Sequence, residues 1–178
     1  MFANMFGSGP IRVTACRRLP NLFVEALIGL GREEKRMESV SLSRSFEGSR
    51  AVVADAMTDV GPFMEAAGFD EVVVDGDIVT ITNHVGLLTI ELALRVVDSD
   101  GILAYEQVDG IFDTMETRYT LSEGEGTVTV TATTDFELDV AMVGSILDGT
   151  IISRQRKKEL NAQFDYLERI AADAAPAE

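Results

Sequence analysis

The sequence is poor in the residues that staple small proteins or hold metals. Cys16 is the one cysteine, so no internal disulfide can form and no cysteine cluster is available for zinc or an iron–sulfur centre. A reducing, cytoplasmic compartment is the expectation. His84 is the one histidine, and tryptophan is absent. A Ser–His–Asp or Cys–His nucleophile system therefore has almost nothing to be built from. Lysine is confined to Lys35, Lys157 and Lys158. No apolar run approaches the roughly 20 residues a membrane helix needs, so no membrane span is expected.

What remains is an acidic, core-forming chain. Its 178 residues suit one domain, and a hydrophobic share of 46% supports a packed interior. The net charge of −15 makes nucleic acid a poor partner, because phosphate binding needs clustered Lys and Arg. An anionic membrane face is disfavoured for the same reason. Many carboxylates with few lysines fit a salt-rich cytoplasm, where self-repulsion is screened over short distances.

The charge is not spread evenly. Met1–Arg36 carries six basic residues against three acids, a net of +3, whereas the chain from Met37 onward carries nine against 27, a net of −18. The expected division is an N-terminal segment, 1–36, and a domain, 37–178. Three readings fit the segment. It is a targeting peptide, although Glu25 interrupts Leu22–Leu30. It is an amphipathic helix with Leu19, Leu22, Phe23, Ala26, Leu27 and Leu30 on one face. Or the working protein starts at Met37, immediately before the first clear strand.

Within the domain, Val40 and Leu42, with Arg44 and Phe46 continuing the spacing, alternate with Ser39, Ser41, Ser43 and Ser45, the period of a half-buried strand. Gly48-Ser49 breaks it, and Ser49 suits the cap of a helix carrying Val52, Val53, Ala56 and Met57. A second short helix follows, with Pro62 in its first turn and Gly68 after its end. Six strands are expected next: Glu71–Val74, Ile78–Val85, Leu87–Val97, Leu103–Val108, Ile111–Leu121 and Thr127–Leu138. Turn residues such as Asp75-Gly76-Asp77 and Asp109-Gly110 separate them. Short loops between successive strands imply an antiparallel meander. The order β-α-α-β×6-α is that of an α+β fold.

A long last helix is expected from Val140 to Ala172. Its apolar face runs through Val143, Ile146, Thr150, Ser153, Lys157, Leu160, Phe164, Leu167 and Ala171. The centre of that face is small or polar at Gly149, Thr150 and Ser153. Small residues there either leave space between helix and sheet or receive bulky strand side chains.

One strand, two short helices, a six-stranded meander and a long closing helix resemble the helix-grip layout of the START-like superfamily, which includes polyketide cyclases and lipid-binding domains. The stretch from Met37-Glu38-Ser39-Val40 to Phe164-Asp165-Tyr166-Leu167-Glu168 resembles the SRPBCC proteins of salt-loving archaea. The likeness is one of layout and carries no catalytic motif. It implies a curved sheet around the C-terminal helix, with a mostly apolar cavity between them. Carried onto this sequence, the inward sets are Val79, Ile81, Asn83 and Val85; Leu88, Ile90, Leu92 and Leu94; Met115, Thr117, Tyr119 and Leu121; and Val128, Val130, Ala132, Thr134 and Phe136. Alternation leaves the facing of Leu103–Val108 open, and Leu103 and Tyr105 are placed inward.

The expected ligand-binding residues are Ile81, Asn83, Ile90, Tyr105, Met115, Thr117, Tyr119, Ile146, Thr150 and Ser153. Asn83 interrupts an apolar set, so it either orients a ligand or pairs with nearby backbone. Tyr105 and Tyr119 can each present a hydroxyl or serve as core residues with a wet tip. His84 alternates to the outer face, away from any pocket or orienting partner. The basic group Arg154, Arg156, Lys157 and Lys158 reads as a solvated helix surface paired with acids, or as an attractor for an anionic head group. Asp75-Gly76-Asp77 lacks the other ligands of a calcium loop, Gly124-Glu125-Gly126 is too acidic to cradle phosphate, and no metal or cofactor is expected. The leading expectation is binding or carriage of a small hydrophobic molecule, lipid- or isoprenoid-like. A cyclase or dehydratase using Glu106 or Tyr119, and a co-chaperone or assembly factor with an exposed apolar patch, are the alternatives.

Overall fold

The computed structural model describes residues 37–85, 88–138 and 149–174, the side chains of Val85 and Leu88 excepted. Seven strands and three helices are found there: β1 (Met37–Glu47), α1 (Arg50–Thr58), α2 (Val60–Glu65), β2 (Glu71–Asp75), β3 (Ile78–Val85), β4 (Leu88–Val97), β5 (Leu103–Asp109), β6 (Phe112–Glu123), β7 (Thr127–Leu138) and α3 (Gly149–Asp173). The expected order holds, and strand ends differ from the sequence reading by at most two residues in the meander. All pairings are antiparallel in one sheet of order β1-β7-β6-β5-β4-β3-β2. This is the α+β helix-grip architecture. Among the described residues no helix is long and apolar enough to cross a membrane.

Alternation fixes the register of the first pair. Val40, Phe46, Val128, Val130, Ala132, Thr134 and Phe136 are all buried on the inner face, and a slip of one residue would expose the whole set. On the outer face, residues directly opposite one another bond through their hydroxyls: Ser41–Thr133 at 3.0 Å, Ser43–Thr131 at 2.9 Å and Ser45–Thr129 at 2.7 Å. β-Branched threonine suits this pleated surface, and each hydroxyl pair adds a fraction of about 1 kcal/mol. At the β2–β3 hairpin Gly76 takes a left-handed φ of 62°, as a two-residue turn requires. Irregularities at Ala93/Leu94 and Phe112/Thr114 break the ladders, and such bulges bend and twist a sheet.

The two short helices cover one end of the inner face. Val53, Met57, Phe63 and Met64 are fully buried there, and the Phe63 ring meets Tyr119 edge-on at 5.2 Å. Ser49 stands at the start of α1 in an extended conformation, but its side chain makes no capping bond, so the helix is held by its buried face instead. Gly48 has φ 155°, and a Cβ there would lie 2.8 Å from the Ala171 Cβ, so glycine lets the end of α3 close on this turn.

α3 buries Leu160, Phe164, Leu167 and Ala171 as its C-terminal half was expected to, at about 1.5–3 kcal/mol for each large side chain. Its N-terminal half corrects the expectation. The buried residues there are Ile152, Arg156 and Glu159, with Gln163 continuing the same face one turn on, while Thr150 and Lys157 are exposed and Ser153 is half-buried. Nor does Gly149 leave a gap: a Cβ there would sit 3.0 Å from Glu38, so the glycine permits close packing on β1. The expectations at Val143 and Ile146 lie outside the described residues, as do those for residues 1–36 and for the facing of Val85 and Leu88.

Candidate functional site

The inner faces of β3, β4, β5 and β6 and the first turns of α3 line a partly open cavity of about 70 Å³. At roughly 10–15 Å³ for one water, this is room for several waters or a small organic fragment. Ile81, Ile90, Leu92, Leu94, Met115 and Ile152 supply its apolar wall, and Phe69, Ile111 and Phe112 extend it. Asn83, Tyr105, Gln155, Arg156 and Glu159 supply the polar part. Two sources meet here: strand alternation turns every second residue inward, and a helical spacing of three and four brings Ile152, Arg156 and Glu159 onto one face.

Arg156 organises the polar side. It is 8% exposed, and so is Glu159. The Arg156 Nη1 donates to Glu159 Oε2 at 3.1 Å, its Nε donates to Thr134 Oγ1 at 2.9 Å, and its Nη2 donates to Tyr105 Oη at 2.6 Å and Tyr119 Oη at 3.2 Å. Thr134 and Thr117 share a bond of 2.8 Å, and the two tyrosine hydroxyls lie 3.2 Å apart. Tyr119 donates to Gln163 Oε1 at 2.7 Å, and the Gln163 amide reaches the Phe63 carbonyl at 3.4 Å. On the other side, Glu159 Oε1 accepts from Asn83 Nδ2 at 3.3 Å and from Gln155 Nε2 at 3.1 Å. No buried side-chain nitrogen or oxygen among the described residues lacks a partner. Such a network specifies one packing of helix on sheet, since each member left unpaired carries the full cost of burial.

Its electrostatics favour fixed charge states. Burial works against the Arg156 charge, but Tyr105, Tyr119 and Glu159 outweigh it and hold the guanidinium well above its ordinary pKa. Burial pushes the Tyr119 hydroxyl well up, repulsion from Tyr105 adds to this, and the positive charge of Arg156 opposes it only in part. Tyr119 is thus a neutral hydrogen-bonding group near neutral pH, not a poised proton carrier.

Of the residues expected to bind a ligand, the structure brings Ile81, Asn83, Ile90, Tyr105 and Met115 together around the cavity. Thr117 and Tyr119 are buried behind it and touch Arg156. Thr150 is exposed, and neither it nor Ser153 is among the lining residues, because the helix turns its polar Arg156–Glu159 face inward. Glu106 is exposed on the outer face, 3.7 Å from Arg95, so it is no acid or base for this cavity. His84 does face outward, but it has an orienting partner: Asp70 Oδ2 accepts from His84 Nδ1 at 2.7 Å and from its backbone N–H at 2.6 Å. That bond holds the Asp70 carboxyl below its ordinary range. Arg156, Glu159, Gln155 and Gln163 were missed. In the sequence Arg156 belongs to a basic group expected to be either a solvated helix surface or an attractor for an anionic head group; the structure buries it, as happens to charged residues almost only when they are paired.

No family model matches the sequence, and no curated protein matches it at the sequence level. Solved structures do match its fold. A START superfamily protein from Mycobacterium smegmatis superposes with a TM-score of 0.61 at 11% identity, over 77% of this chain and 99% of its own. The Zhui aromatase/cyclase from a Streptomyces species gives a TM-score of 0.62 at 18% identity, over 79% of this chain and 100% of its own. Norcoclaurine synthase from Thalictrum flavum, solved in complex with dopamine and hydroxybenzaldehyde, gives 0.56 at 11% identity, over 80% and 91%. At these identities the similarity is one of fold.

Proposed function

We propose that this START-like helix-grip domain binds a small, mostly apolar molecule in the cavity between its sheet and α3. The observation that carries the reading is the cavity's composition: aliphatic and methionine walls with a cluster of ordered polar groups at one side. Small-molecule sites have this make-up, the apolar area supplying affinity and a few placed polar groups supplying orientation. In this reading Ile81, Ile90, Met115 and Ile152 contact the apolar part of the ligand. Asn83 and Tyr105 meet its polar end. Thr117 and Tyr119 act through Arg156, as positioning residues.

The volume narrows the class of ligand. About 70 Å³ suits a single ring or a short branched chain, and it is well below the volume of about 300 Å³ or more typical of sites for drug-sized ligands. The one-ring compounds held by norcoclaurine synthase are of the smaller kind. Native mass spectrometry of protein purified under gentle conditions tests the reading. A small-molecule adduct is expected, and it should disappear when Leu92 is replaced by phenylalanine to fill the cavity. Apo mass alone, under every gentle condition and after incubation with single-ring compounds, contradicts it.

A further inference from the structure

We infer that the cavity selects an electrically neutral ligand bearing a hydrogen-bond acceptor, such as a ketone or aldehyde, against carboxylates and amines of the same size. The inference rests on the cavity reading above and adds the charge and polarity of the occupant.

Charge decides the first half. One cation and one anion face this space, Arg156 and Glu159, and they are bonded to each other at 3.1 Å. Both carboxylate oxygens of Glu159 are engaged, one by Arg156 and the other by Asn83 and Gln155. Among the described lining residues no further ionisable acid or base remains to compensate a charged guest. An incoming carboxylate either displaces Glu159 from the guanidinium or shares that one cation with it, and in both cases two buried anions face a single positive charge. An incoming ammonium meets the mirror problem at Arg156. Either ion gives up its hydration for apolar walls, a cost that burial without a partner does not return.

Proton bookkeeping decides the second half. Tyr119 gives its hydroxyl proton to Gln163 Oε1, so its oxygen acts as an acceptor. Tyr105 accepts from Arg156 at 2.6 Å and keeps its own proton to donate. Its protein acceptor is Tyr119 Oη at a long 3.2 Å, and that oxygen already receives Arg156. Tyr105 also lines the cavity. A ligand carbonyl placed there takes the Tyr105 proton in a shorter bond, and the guanidinium behind Tyr105 strengthens the donor.

Four probes of matched size test both halves on the full chain: acetophenone, ethylbenzene, benzoate and benzylammonium. Their dissociation constants would be measured by protein-observed NMR at about pH 7, where the acid and the amine are ionised. Acetophenone should bind about tenfold or more tightly than either ion and about threefold to tenfold more tightly than ethylbenzene. Tyr105→Phe should erase the advantage over ethylbenzene, and Glu159→Gln should raise benzoate affinity at least to that of acetophenone. Benzoate or benzylammonium matching acetophenone on the wild-type protein overturns the charge inference while leaving the cavity reading intact. Ethylbenzene matching acetophenone overturns the acceptor inference alone. Failure of all four probes to shift cavity residues overturns the cavity reading and this inference with it. The wild-type comparisons decide these points whether or not the variants fold.

Discussion

Replacing Arg156 by methionine removes the positive half of the buried pair while keeping a long side chain in place. The consequences are unequal among its partners. Thr134 keeps Thr117 at 2.8 Å, and Tyr105 keeps Tyr119 at 3.2 Å, so neither hydroxyl is stranded. Glu159 loses the one cation within ion-pair distance of it among the described residues and keeps only the neutral amides of Asn83 and Gln155. Orphaning one member of a buried pair costs about 3–5 kcal/mol, which is a large share of a domain's stability of about 5–15 kcal/mol. Glu159→Gln should cost somewhat less, about 2–4 kcal/mol, because four hydroxyl oxygens still surround the guanidinium. The double variant removes both charges, so its loss should be no larger than that of Arg156→Met alone. The coupling between the two sites should then exceed about 2 kcal/mol. Urea unfolding of the four proteins, with the slope of the transition unchanged, measures it. Losses that add to within about 0.5 kcal/mol would refute the view that the two charges serve chiefly to compensate each other.

Tyr119→Phe keeps the ring contact with Phe63 and removes the donor to Gln163, so it should cost about 1–3 kcal/mol in the same assay, and a neutral result would mean that the hydroxyl is not part of the network. The Asp70 carboxyl should titrate below its ordinary value of 3.8 and return towards it in His84→Ala, as followed by carboxyl-carbon NMR. Because the folded value is the lower one, the contribution of this contact to stability is present above 3.8 and is lost as pH falls through the depressed value. An unchanged midpoint in His84→Ala removes the His84 side chain as the cause and leaves its backbone N–H. Gly48→Ala sets a methyl against Ala171 at a strained backbone angle and should lower stability by about 1–3 kcal/mol, which thermal unfolding would detect.

The strands were legible because each carries one clean period. Thr127–Leu138 alternates throughout, and its five inward residues are all buried; Val79 and Ile81, and Ile90, Leu92 and Leu94, repeat the pattern. The C-terminal half of α3 was legible for the same reason, Leu160, Phe164 and Leu167 being large and apolar. The first turns were misread because hydropathy places arginine and glutamate outside. A different signal was present. The inward sets contain Asn83, Thr117, Tyr119 and Thr134, with Tyr105 beside them, and buried polar groups need partners. The sheet supplies only some, so the facing helix had to bring donors and acceptors of its own. At the spacing of Ile152, Arg156, Glu159 and Gln163 it does. Reading the polar residues of the sheet as a demand on the helix, rather than as isolated exceptions, would have found the site. The Asp70–His84 bond had no comparable signal, since it joins a loop to a strand across a hairpin.

The central claim is that the space between sheet and helix is an apolar site a guest can enter. Xenon titration followed on the methyl resonances tests this most directly, because xenon occupies dry apolar cavities and makes no polar contacts. Saturable shifts are predicted at Ile81, Ile90, Leu92 and Ile152, the cavity-lining methyls, and Leu92→Phe should weaken them. Shifts that stay linear in xenon pressure, or that appear only at exposed methyls such as Val73 and Val74, would contradict the account.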